Sequence, residues 1–428
     1  MSDKARILVS SVDGWSDANG SNTLSSLVAG YDKDALACIY IRSEGSDSSV
    51  CDRYFHIFES EVLKSLYNGN VQTGEAFAAG RSKGAEQDRQ QKALYSHFVS
   101  FRPYSLILAR ELIWKWGKWR SPELDAFLDE FKPDVLFFPI EGYIHFNRLN
   151  EYIIARCKPK KVIGYLWDDN FSYRIRHWNP LWWLHRAWLR RGVKRLVKAC
   201  DTLFAISPKM QREIKELLQV DSVLLTKPAT MNACQEVFAK KNLSLLYTGN
   251  MTAGRDRSLE IVAQAIEKLN REGGAKLHLD IYTQTPQTRR MKKKLNIPHA
   301  CTLHSAVPQS EVFRLQKEAD ILLFVESFEA AGRFARLSFS TKITDYLSSG
   351  RAIWAIGPSD LAPIEYFEKN ACALVSSGKN NIEADLRKWM DNASLLSEYA
   401  AKALDCARKN HDEKMIRERF EKASGIQF

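Results

Sequence analysis

Short apolar runs alternate with amphipathic stretches along the first half of the chain. Continuous apolar runs at 6–12, 34–41 and 132–140 are typical of strands buried on both faces, and two more follow at 160–167 and 200–207. The segments between them have helical spacing or a turn-rich composition. Parallel strands joined by helices account for this alternation, so the pattern predicts a doubly wound α/β domain.

The same pattern begins again in the second half. After a polar, proline-containing stretch, an apolar run at 243–250 leads into an amphipathic helix that ends at a glycine, and more strands and helices follow. Ligands of such folds bind at the carboxyl ends of the strands, although the pattern does not define the chemistry. We therefore predict an α/β protein with two Rossmann-like doubly wound domains facing a central cleft: an N-terminal domain (1–228), a linker (229–242), a second domain (243–395) and a C-terminal helical segment (396–428).

Composition indicates globular cores and an anionic partner. A chain of 428 residues is too long to fold around one ordinary hydrophobic core, and a hydrophobic content of 45% argues against disorder. The formal net charge of +11 favours a phosphorylated small molecule, an anionic membrane or a nucleic acid. Because no recognised nucleic-acid-binding motif accompanies the charge, we expect no nucleic-acid partner.

The cysteines and the N-terminus predict a cytoplasmic protein. The eight cysteines are scattered without a CxxC pair, which is typical of reduced thiols. The N-terminus lacks the apolar core of a signal peptide, and no window approaches the ~20 apolar residues of a transmembrane helix. A peripheral position on the inner face of the cell membrane stays open.

The stretch STKITDYLSSG, which starts at Ser340, suggests a phosphate-binding helix start. Ser340 and Thr341 fall at the N-terminal cap, where unpaired N–H groups favour an anion. Lys342 adds a cation, and Asp345 lies one turn further on, where a carboxylate can accept hydrogen bonds from ribose hydroxyls. The pattern fits a nucleotide, and the alternative is an ordinary capped helix with a solvated Lys–Asp face.

Two strand-to-helix loops carry further candidates. In YTGNMTAGRDRSLEIV, Arg255 precedes a predicted helix, and an arginine can bridge two phosphate oxygens. In DGWSDANGSN, Gly14 and Gly20 would let the backbone approach a donor phosphate closely, with a plain loop as the alternative. His145 follows a predicted strand, and a structural role is the alternative to catalysis there.

Together, these motifs resemble those of the GT-B glycosyltransferases, specifically the large retaining family 4 and its relatives from bacterial surface-polysaccharide pathways. YTGN with Arg255 is similar to the family's YVGRL…KG motif, which supplies basic residues to the donor diphosphate. STKITDYLSSGRAIWAIG is similar to the family's KLxEYLAxGxPVIA, so the resemblance implies that Lys342 and Asp345 bind the donor. Segments 200–214 and 310–325 also resemble the family, and the likeness weakens toward the N-terminus.

The chain departs from this family pattern at several positions. The family often has two glutamates at a fixed spacing, of which the second falls on Asp345 and the first on Leu337, which cannot replace a carboxylate. Glu326 and Glu329 are the catalytic candidates for that role. Asp168, in GYLWDDN, follows a tryptophan where relatives tend to carry histidine, and it is the catalytic candidate in the N-terminal domain.

Segment 177–198 predicts a basic, tryptophan-rich helix. Drawn as a helix, it has aromatic and aliphatic residues, including Trp178 and Leu181, on one face and basic residues on the other. This arrangement is typical of a helix lying in a lipid headgroup layer, and the alternative is a helix that covers the sheet with its basic face in solvent. The candidates for membrane contact are Trp183, Arg186, Arg190, Arg191 and Lys194.

These observations predict an enzyme that transfers a sugar from a nucleotide-diphosphate donor to a lipid-linked or saccharide acceptor in surface-polysaccharide assembly. The resemblance implies retention of the anomeric configuration without a metal, and the sequence contains no metal-ligand spacing. No cofactor is expected, since the nucleotide sugar is a substrate. A catalytically silent GT-B subunit that docks on a partner glycosyltransferase stays open, because the first family glutamate is missing.

Overall fold

The structure is a computed structural model of the chain, and the residues it describes are 4–17, 23–42, 46, 48–78, 104–175, 177–229, 231, 242–273 and 276–428. The chain divides into two compact units. Unit 1 comprises Met1–Ile206, Met210–Leu225 and Glu418–Phe428, and unit 2 comprises Ser207–Lys209 and Thr226–Arg417.

In its described residues, unit 1 contains a sheet of eight strands. They are β1 (Ile7–Ser11), β2 (Leu36–Tyr40), β3 (Arg53–Ile57), β4 (Gly74–Ala78), β5 (Val135–Pro139), β6 (Lys161–Leu166), β7 (Thr202–Ala205) and β8 (Val223–Leu224). The spatial order is β4-β3-β2-β1-β5-β6-β7-β8, and the strands pair in parallel except for the antiparallel pair β3–β4. The order reverses at β1, so the carboxyl ends of β1 and β5 form a topological switch point.

Helices connect the strands of unit 1, and most of them begin at signals visible in the sequence. Ser121 caps one helix by accepting a hydrogen bond from Leu124 N (3.2 Å), and Asn179 caps another immediately before a proline. β1, β2 and β5 are buried along their whole length, as expected for parallel strands covered on both faces. The helices are α1 (Thr23–Val28), α2 (Glu59–Lys64), α3 (Tyr104–Trp116), α4 (Pro122–Phe131), α5 (Ile144–Cys157), α6 (Pro180–Ala199) and α7 (Pro208–Leu218).

The sheet of unit 2 is parallel throughout its described strands. They are β9 (Asn242–Thr248), β10 (Lys276–Thr283), β11 (Cys301–Ser305), β12 (Ile321–Val325), β13 (Ala352–Ile356) and β14 (Leu374–Ser376). Their order, β11-β10-β9-β12-β13-β14, corresponds to the 3-2-1-4-5-6 order of the Rossmann fold. The switch point therefore lies at the carboxyl ends of β9 and β12.

The helices of unit 2 pack around a core that includes Trp354 of β13. This side chain is fully buried, and its indole N–H donates to Ser376 Oγ (2.8 Å), which satisfies its polar group. The helices are α8 (Arg255–Glu272), α9 (Arg289–Leu295), α10 (Gln309–Glu318), α11 (Thr341–Leu347), α12 (Ala362–Asn370), α13 (Ile382–Asp391), α14 (Ser394–His411) and α15 (Glu413–Ser424). The last part of α15 belongs to unit 1.

The predicted pair of doubly wound, Rossmann-like domains is confirmed, and each of the five apolar runs of the first half contains a strand. The pattern missed β3 and β4, because these two strands carry charged and small residues and have no long apolar run. It also missed the destination of the C-terminal segment. Phe420 of α15 packs in the core of unit 1, with ring centroids 5.5 Å from Phe137 and 5.6 Å from Phe204.

Candidate active site

The switch point of unit 2 contains a buried lysine. Lys342, in the first turn of α11, extends its side chain to the end of β9, where Nζ donates to the carbonyl oxygen of Thr248 (3.0 Å) and lies 4.7 Å from the centroid of the Tyr247 ring. Gly249 makes room for this ammonium group. The φ angle of Gly249 is 141°, and a Cβ atom there would lie 2.4 Å from Lys342 Nζ. The φ angle therefore favours glycine here, and a larger residue would displace the Lys342 ammonium group from its position.

Arg255, the first residue of α8, forms a two-pronged ion pair with Glu326, the residue after β12. Nε of the arginine donates to Oε2 and Nη2 donates to Oε1, both at 3.0 Å. Gly254 precedes the helix with a φ of 86°, and a Cβ atom there would lie 2.5 Å from Ser327 Oγ, so the close approach of the two loops depends on glycine. The guanidinium fork thus holds two oxygens of one anion, the geometry in which arginine also binds phosphate.

Burial changes the charge balance of these three groups. It raises the pKa of Glu326, although Arg255 and Lys342 oppose that shift. Burial and the neighbouring Arg255 lower the pKa of Lys342 to about 8, although Glu326 opposes this change. Two cationic side chains and one carboxylate therefore share a desolvated site, where a bound anion would favour the charged form of the lysine.

The other predicted donor residues lie on α11. Ser340 is the N-cap and its Oγ accepts from the backbone N–H of Lys342 (3.4 Å), while Thr341 begins the helix. Asp345 accepts a hydrogen bond from Lys227 Nζ at Oδ1 (2.9 Å). Burial raises the pKa of Asp345, and Lys227 opposes the shift. Asp345 thus has its own basic partner, separate from the Arg255 ion pair.

The two catalytic glutamate candidates lie in different environments. Glu326 is buried against Arg255, whereas the Glu329 side chain is 37% exposed, with carboxylate oxygens 3.7 Å from Arg257 Nη1 and 3.4 Å from Lys379 Nζ. Leu337 is fully buried. Of the two candidates, Glu326 is the one in contact with a predicted donor-binding residue.

The switch point of unit 1 carries three carboxylic acids and an arginine. Asp13 follows β1, Glu141 follows β5 and Asp168 follows β6. Arg42, after β2, lies with Nη1 3.4 Å from Asp13 Oδ1 and donates to the Tyr143 hydroxyl. Asp168, predicted from the sequence, therefore belongs to a larger acidic group at this sheet edge.

Glu141 is a candidate that sequence reasoning missed. Glu141 is 8% exposed. Burial and the nearby Asp168 raise the pKa of its carboxyl group to about 8, although Arg42 opposes the shift. A carboxyl group with this pKa is largely protonated at neutral pH and can donate a hydrogen bond to an oxygen. A usable signal was the glutamate directly after the apolar run LFFPI, since burying an acid is costly unless its environment or function compensates.

The remaining sequence candidates in unit 1 have less to contribute. Gly14 is buried beside Asp13, and Gly20 lies outside the described residues. His145 is 2% exposed, with Nδ1 3.0 Å from Glu111 Oε2 and its ring stacked on Trp114 at 4.8 Å. Burial lowers the pKa of His145. These contacts favour the structural interpretation of this histidine.

Arg186 is buried, whereas the sequence predicted it on an exposed basic face of the helix. Its side chain is 7% exposed, Nη2 lies 2.9 Å from Asp169 Oδ1, and Nε donates to the carbonyl oxygen of Ser172 (2.9 Å). The prediction that Arg186 is exposed is wrong because the loop before α6 folds back and supplies hydrogen-bond acceptors to this side of the helix. Trp178, assigned to the covered face, precedes α6 and is 87% exposed, and Leu181 is also exposed.

The other membrane candidates remain at the surface to different degrees. Arg191 and Lys194 are exposed, and Trp183 is exposed while its indole N–H donates to the carbonyl oxygen of His177 (2.8 Å). Arg190 is half-buried, with Nε donating to Phe171 O (2.6 Å). Across the part of the chain that the structure describes, the helices are too short or too polar to cross a membrane.

Comparison with known proteins relates the fold to one class of enzymes. No protein-family model and no curated protein sequence matches the chain. Among solved structures, WaaG, a glycosyltransferase involved in lipopolysaccharide biosynthesis, is 13% identical and aligns over 98% of this chain and 100% of its own, with a TM-score of 0.56. HepE from Anabaena, in complex with UDP and glucose, is 7% identical over 97% of this chain and 98% of its own, with a TM-score of 0.61.

A third structure, from E. coli and described as trehalose-6-phosphate bound with UDP-2-fluoro glucose, is 9% identical over 99% of both chains, with a TM-score of 0.60. At these identities the similarity establishes the fold and nothing finer. The chain has the fold of the GT-B glycosyltransferases, which confirms the predicted fold class.

The buried Arg186–Asp169 pair provides a test of the corrected helix. We expect Arg186→Gln to lower the free energy of unfolding by about 3–5 kcal/mol, because it leaves a buried carboxylate without its cation. Urea denaturation followed by circular dichroism would measure the change. Arg191→Gln, on the exposed face of the same helix, is the matched control and should stay within about 0.5 kcal/mol of wild type. Equal stabilities of the two variants would contradict the buried pair.

Proposed function

We propose that this protein is a glycosyltransferase that moves a sugar from a nucleotide-diphosphate donor to a lipid-linked or saccharide acceptor. The observation that carries the proposal is the desolvated group of Arg255, Lys342 and Glu326 at the switch point of unit 2, the position where Rossmann folds bind nucleotides. The similarity of the whole chain to GT-B structures, one of them in complex with UDP and glucose, supports the same conclusion.

In this proposal, Arg255 and Lys342 hold the donor diphosphate. During transfer the acceptor oxygen bonds to the anomeric carbon of the sugar, the bond from that carbon to the diphosphate oxygen breaks, and the proton of the acceptor hydroxyl passes to the departing diphosphate or to water. Negative charge develops on the departing diphosphate, and fixed cations in a desolvated site stabilise it. In the described contacts, Glu326 engages Nε and Nη2 of Arg255, so Nη1 is available for a phosphate oxygen.

Asp345 is proposed to bind the ribose, with Lys227 keeping its carboxylate ionised and oriented. The hydroxyl of Ser340, the backbone at Thr341 and the loops at Gly14 and Gly20 are proposed as further donor contacts. Glu326 is the preferred catalytic candidate over Glu329 because it contacts Arg255, and Asp168 keeps its proposed role in unit 1.

The finer features of the reaction follow from the family resemblance. We infer retention of the anomeric configuration, no metal and no cofactor, and a place in surface-polysaccharide assembly. WaaG, involved in lipopolysaccharide biosynthesis, supports that last inference by analogy. A catalytically silent subunit is the alternative, favoured by the apolar Leu337 at the position of a family glutamate.

We also propose a cytoplasmic protein that lies peripherally on the inner face of the cell membrane. Support comes from the exposed Trp183, Arg191 and Lys194 on one helix and from the net charge of +11. Arg190 contributes less, because its guanidinium already bonds to a backbone carbonyl, and Arg186 is withdrawn as a membrane contact because it is buried.

The donor site is tested by removing its cations. Arg255→Ala and Lys342→Ala should each weaken binding of UDP or GDP, whichever wild type prefers, by about 1.5–3 kcal/mol, the usual contribution of a charged hydrogen bond. Titration calorimetry measures the affinities. Arg271→Ala is the control, since it removes an exposed arginine from the same helix. Unchanged affinity in both site variants would reject the site.

The lowered pKa of Lys342 predicts a pH dependence of donor binding. The lysine must be charged to attract the diphosphate and is charged below about pH 8 in the nucleotide-free protein. Binding should therefore weaken as the pH rises through 8, by up to about tenfold per pH unit. Calorimetry from pH 7 to 9.5 avoids the titration of the nucleotide phosphate near pH 6. Lys342→Ala should bind weakly without this dependence, and the same slope in that variant would contradict the assignment.

The membrane proposal predicts salt-sensitive binding to anionic vesicles. Changing Arg191, Lys194 and Lys198 to Gln should reduce co-sedimentation with phosphatidylglycerol vesicles, because each surface cation adds about 1 kcal/mol at low salt. Raising the salt should reduce wild-type binding as the charges are screened over about 8 Å. The control changes Lys292, Lys293 and Lys294, an exposed basic triple in unit 2, to Gln. Equal losses in both triples would point to net charge alone and against this helix.

A further inference from the structure

Unit 1 contains a cavity of about 610 Å³ beside its switch point. Residues of α2, α3 and α6 form its walls, and Gly142, Tyr143 and Asn170 lie at the end next to the sheet edge. This volume is within the range of about 300–1,000 Å³ that is usual for small-molecule sites. The cavity is therefore large enough to hold a ligand and is built from one unit alone.

Most of the surface that the walls expose to the cavity is apolar, although many of the lining residues also carry polar groups. Leu63 of α2, Ile107 and Ile113 of α3, and Leu189 of α6 contribute hydrocarbon surface, and Ala109 of α3 leaves space between them. Such a lining gains little from a sugar, whose hydroxyl groups need hydrogen-bond partners when they leave water.

Most polar side chains of the cavity already have hydrogen-bond partners, inside or outside its lining. The Tyr104 hydroxyl lies 2.7 Å from His185 Nδ1, and Nη2 of Arg110 donates to Glu59 Oε2 (2.6 Å). Arg186 pairs with Asp169, outside the lining. His185 Nε2 has no hydrogen-bond partner among the described residues, but most of the other polar groups are paired, so the cavity favours a largely apolar ligand over a hydroxylated one.

Exposed apolar surface surrounds the same helices. In the described part of unit 1, the large apolar side chains that are exposed all lie on α2 and the turn after it, on α3, or between residues 173 and 184. Leu63 and Leu106 are exposed and also line the cavity, so the outer apolar surface continues into its wall. Exposed apolar patches of this kind mark interaction sites.

The inner end of the cavity meets the acidic edge of the sheet. Gly142 adjoins Glu141, and Asn170 lies two residues after Asp168 and donates to the carbonyl oxygen of Ile140 (3.1 Å). A ligand with its chain in the cavity would therefore present its polar end beside two carboxylic acids that can bond to hydroxyl groups.

We propose that the cavity between α2, α3 and α6 binds the hydrocarbon chain of a lipid-linked acceptor, whose polar end lies beside Glu141 and Asp168. This inference rests on the proposed transfer reaction and selects the lipid-linked acceptor over the free saccharide. The apolar surface around α2, α3 and α6 accounts for entry of the chain.

The test measures binding of dansyl-labelled undecanoic acid, a single-chain probe, by its fluorescence increase in an apolar environment. Wild type should bind it saturably, and farnesyl monophosphate should displace it. Ala109→Trp fills the cavity at an exposed lining position, and Leu63→Asp places a charge in the wall. Each change should weaken probe binding at least about tenfold, a difference that fluorescence titration resolves.

Ala155→Trp is the matched control, because it adds the same side chain at an exposed alanine of α5 outside the lining. It should bind the probe like wild type, and near-ultraviolet circular dichroism checks that all variants fold. Absence of saturable binding, equal affinity in all variants, or displacement of the probe by a water-soluble oligosaccharide would overturn the lipid assignment. Calorimetry with UDP or GDP distinguishes the two proposals. If the wild-type protein binds neither nucleotide, the proposed transfer reaction is overturned.

Discussion

Parallel pairing of strands is the constraint on which both units depend. Each parallel connection needs a crossover, and the strand order reverses once, at β1 in unit 1 and at β9 in unit 2. At a reversal, the connections on the two sides lead away in opposite directions, so the carboxyl ends of two adjacent strands stay open. Arg255 and Glu326 come from the two strands of one reversal, and Asp13 and Glu141 come from the two strands of the other.

The two sheet edges have opposite chemical character. In unit 2 a buried carboxylate is accompanied by two cations, whereas in unit 1 three carboxylic acids lie at the sheet edge and Arg42 interacts with two of them, Asp13 and Glu141. Burying such groups seldom stabilises a fold, because desolvation offsets most of the attraction between charges. The Arg186–Asp169 ion pair has a structural role. The Arg186 guanidinium also bonds to backbone carbonyls of one loop and so fixes that loop on α6. The Arg255–Glu326 pair instead joins two loops at an edge suited to a ligand.

The sequence predicted the fold better than the site. Buried parallel strands appear as apolar runs, so β1, β5 and β12 could be found without a structure, and the Ser340 cap and Lys342 could be placed by helix-end rules. Partners could not be found in this way. That Glu326 meets Arg255, that Lys227 meets Asp345 and that Asp169 holds Arg186 depends on residues brought together from separate elements. The place of Glu141 after an apolar run is visible in the sequence, whereas the shift of its pKa depends on burial and on neighbours in space.

The assignment of Phe420 to the core of unit 1 has a consequence for biosynthesis. Residues Glu418–Phe428 belong to unit 1, so its hydrophobic core lacks the Phe420 ring until that residue has been translated. At a translation rate of about 5–20 residues per second, the ribosome needs on the order of tens of seconds to make unit 2 after the first part of unit 1 has emerged. During that interval Phe137 and Phe204 can pack on each other and on Tyr165 but lack their contact with the Phe420 ring. Completion of unit 1 therefore requires residues that are translated after those of unit 2.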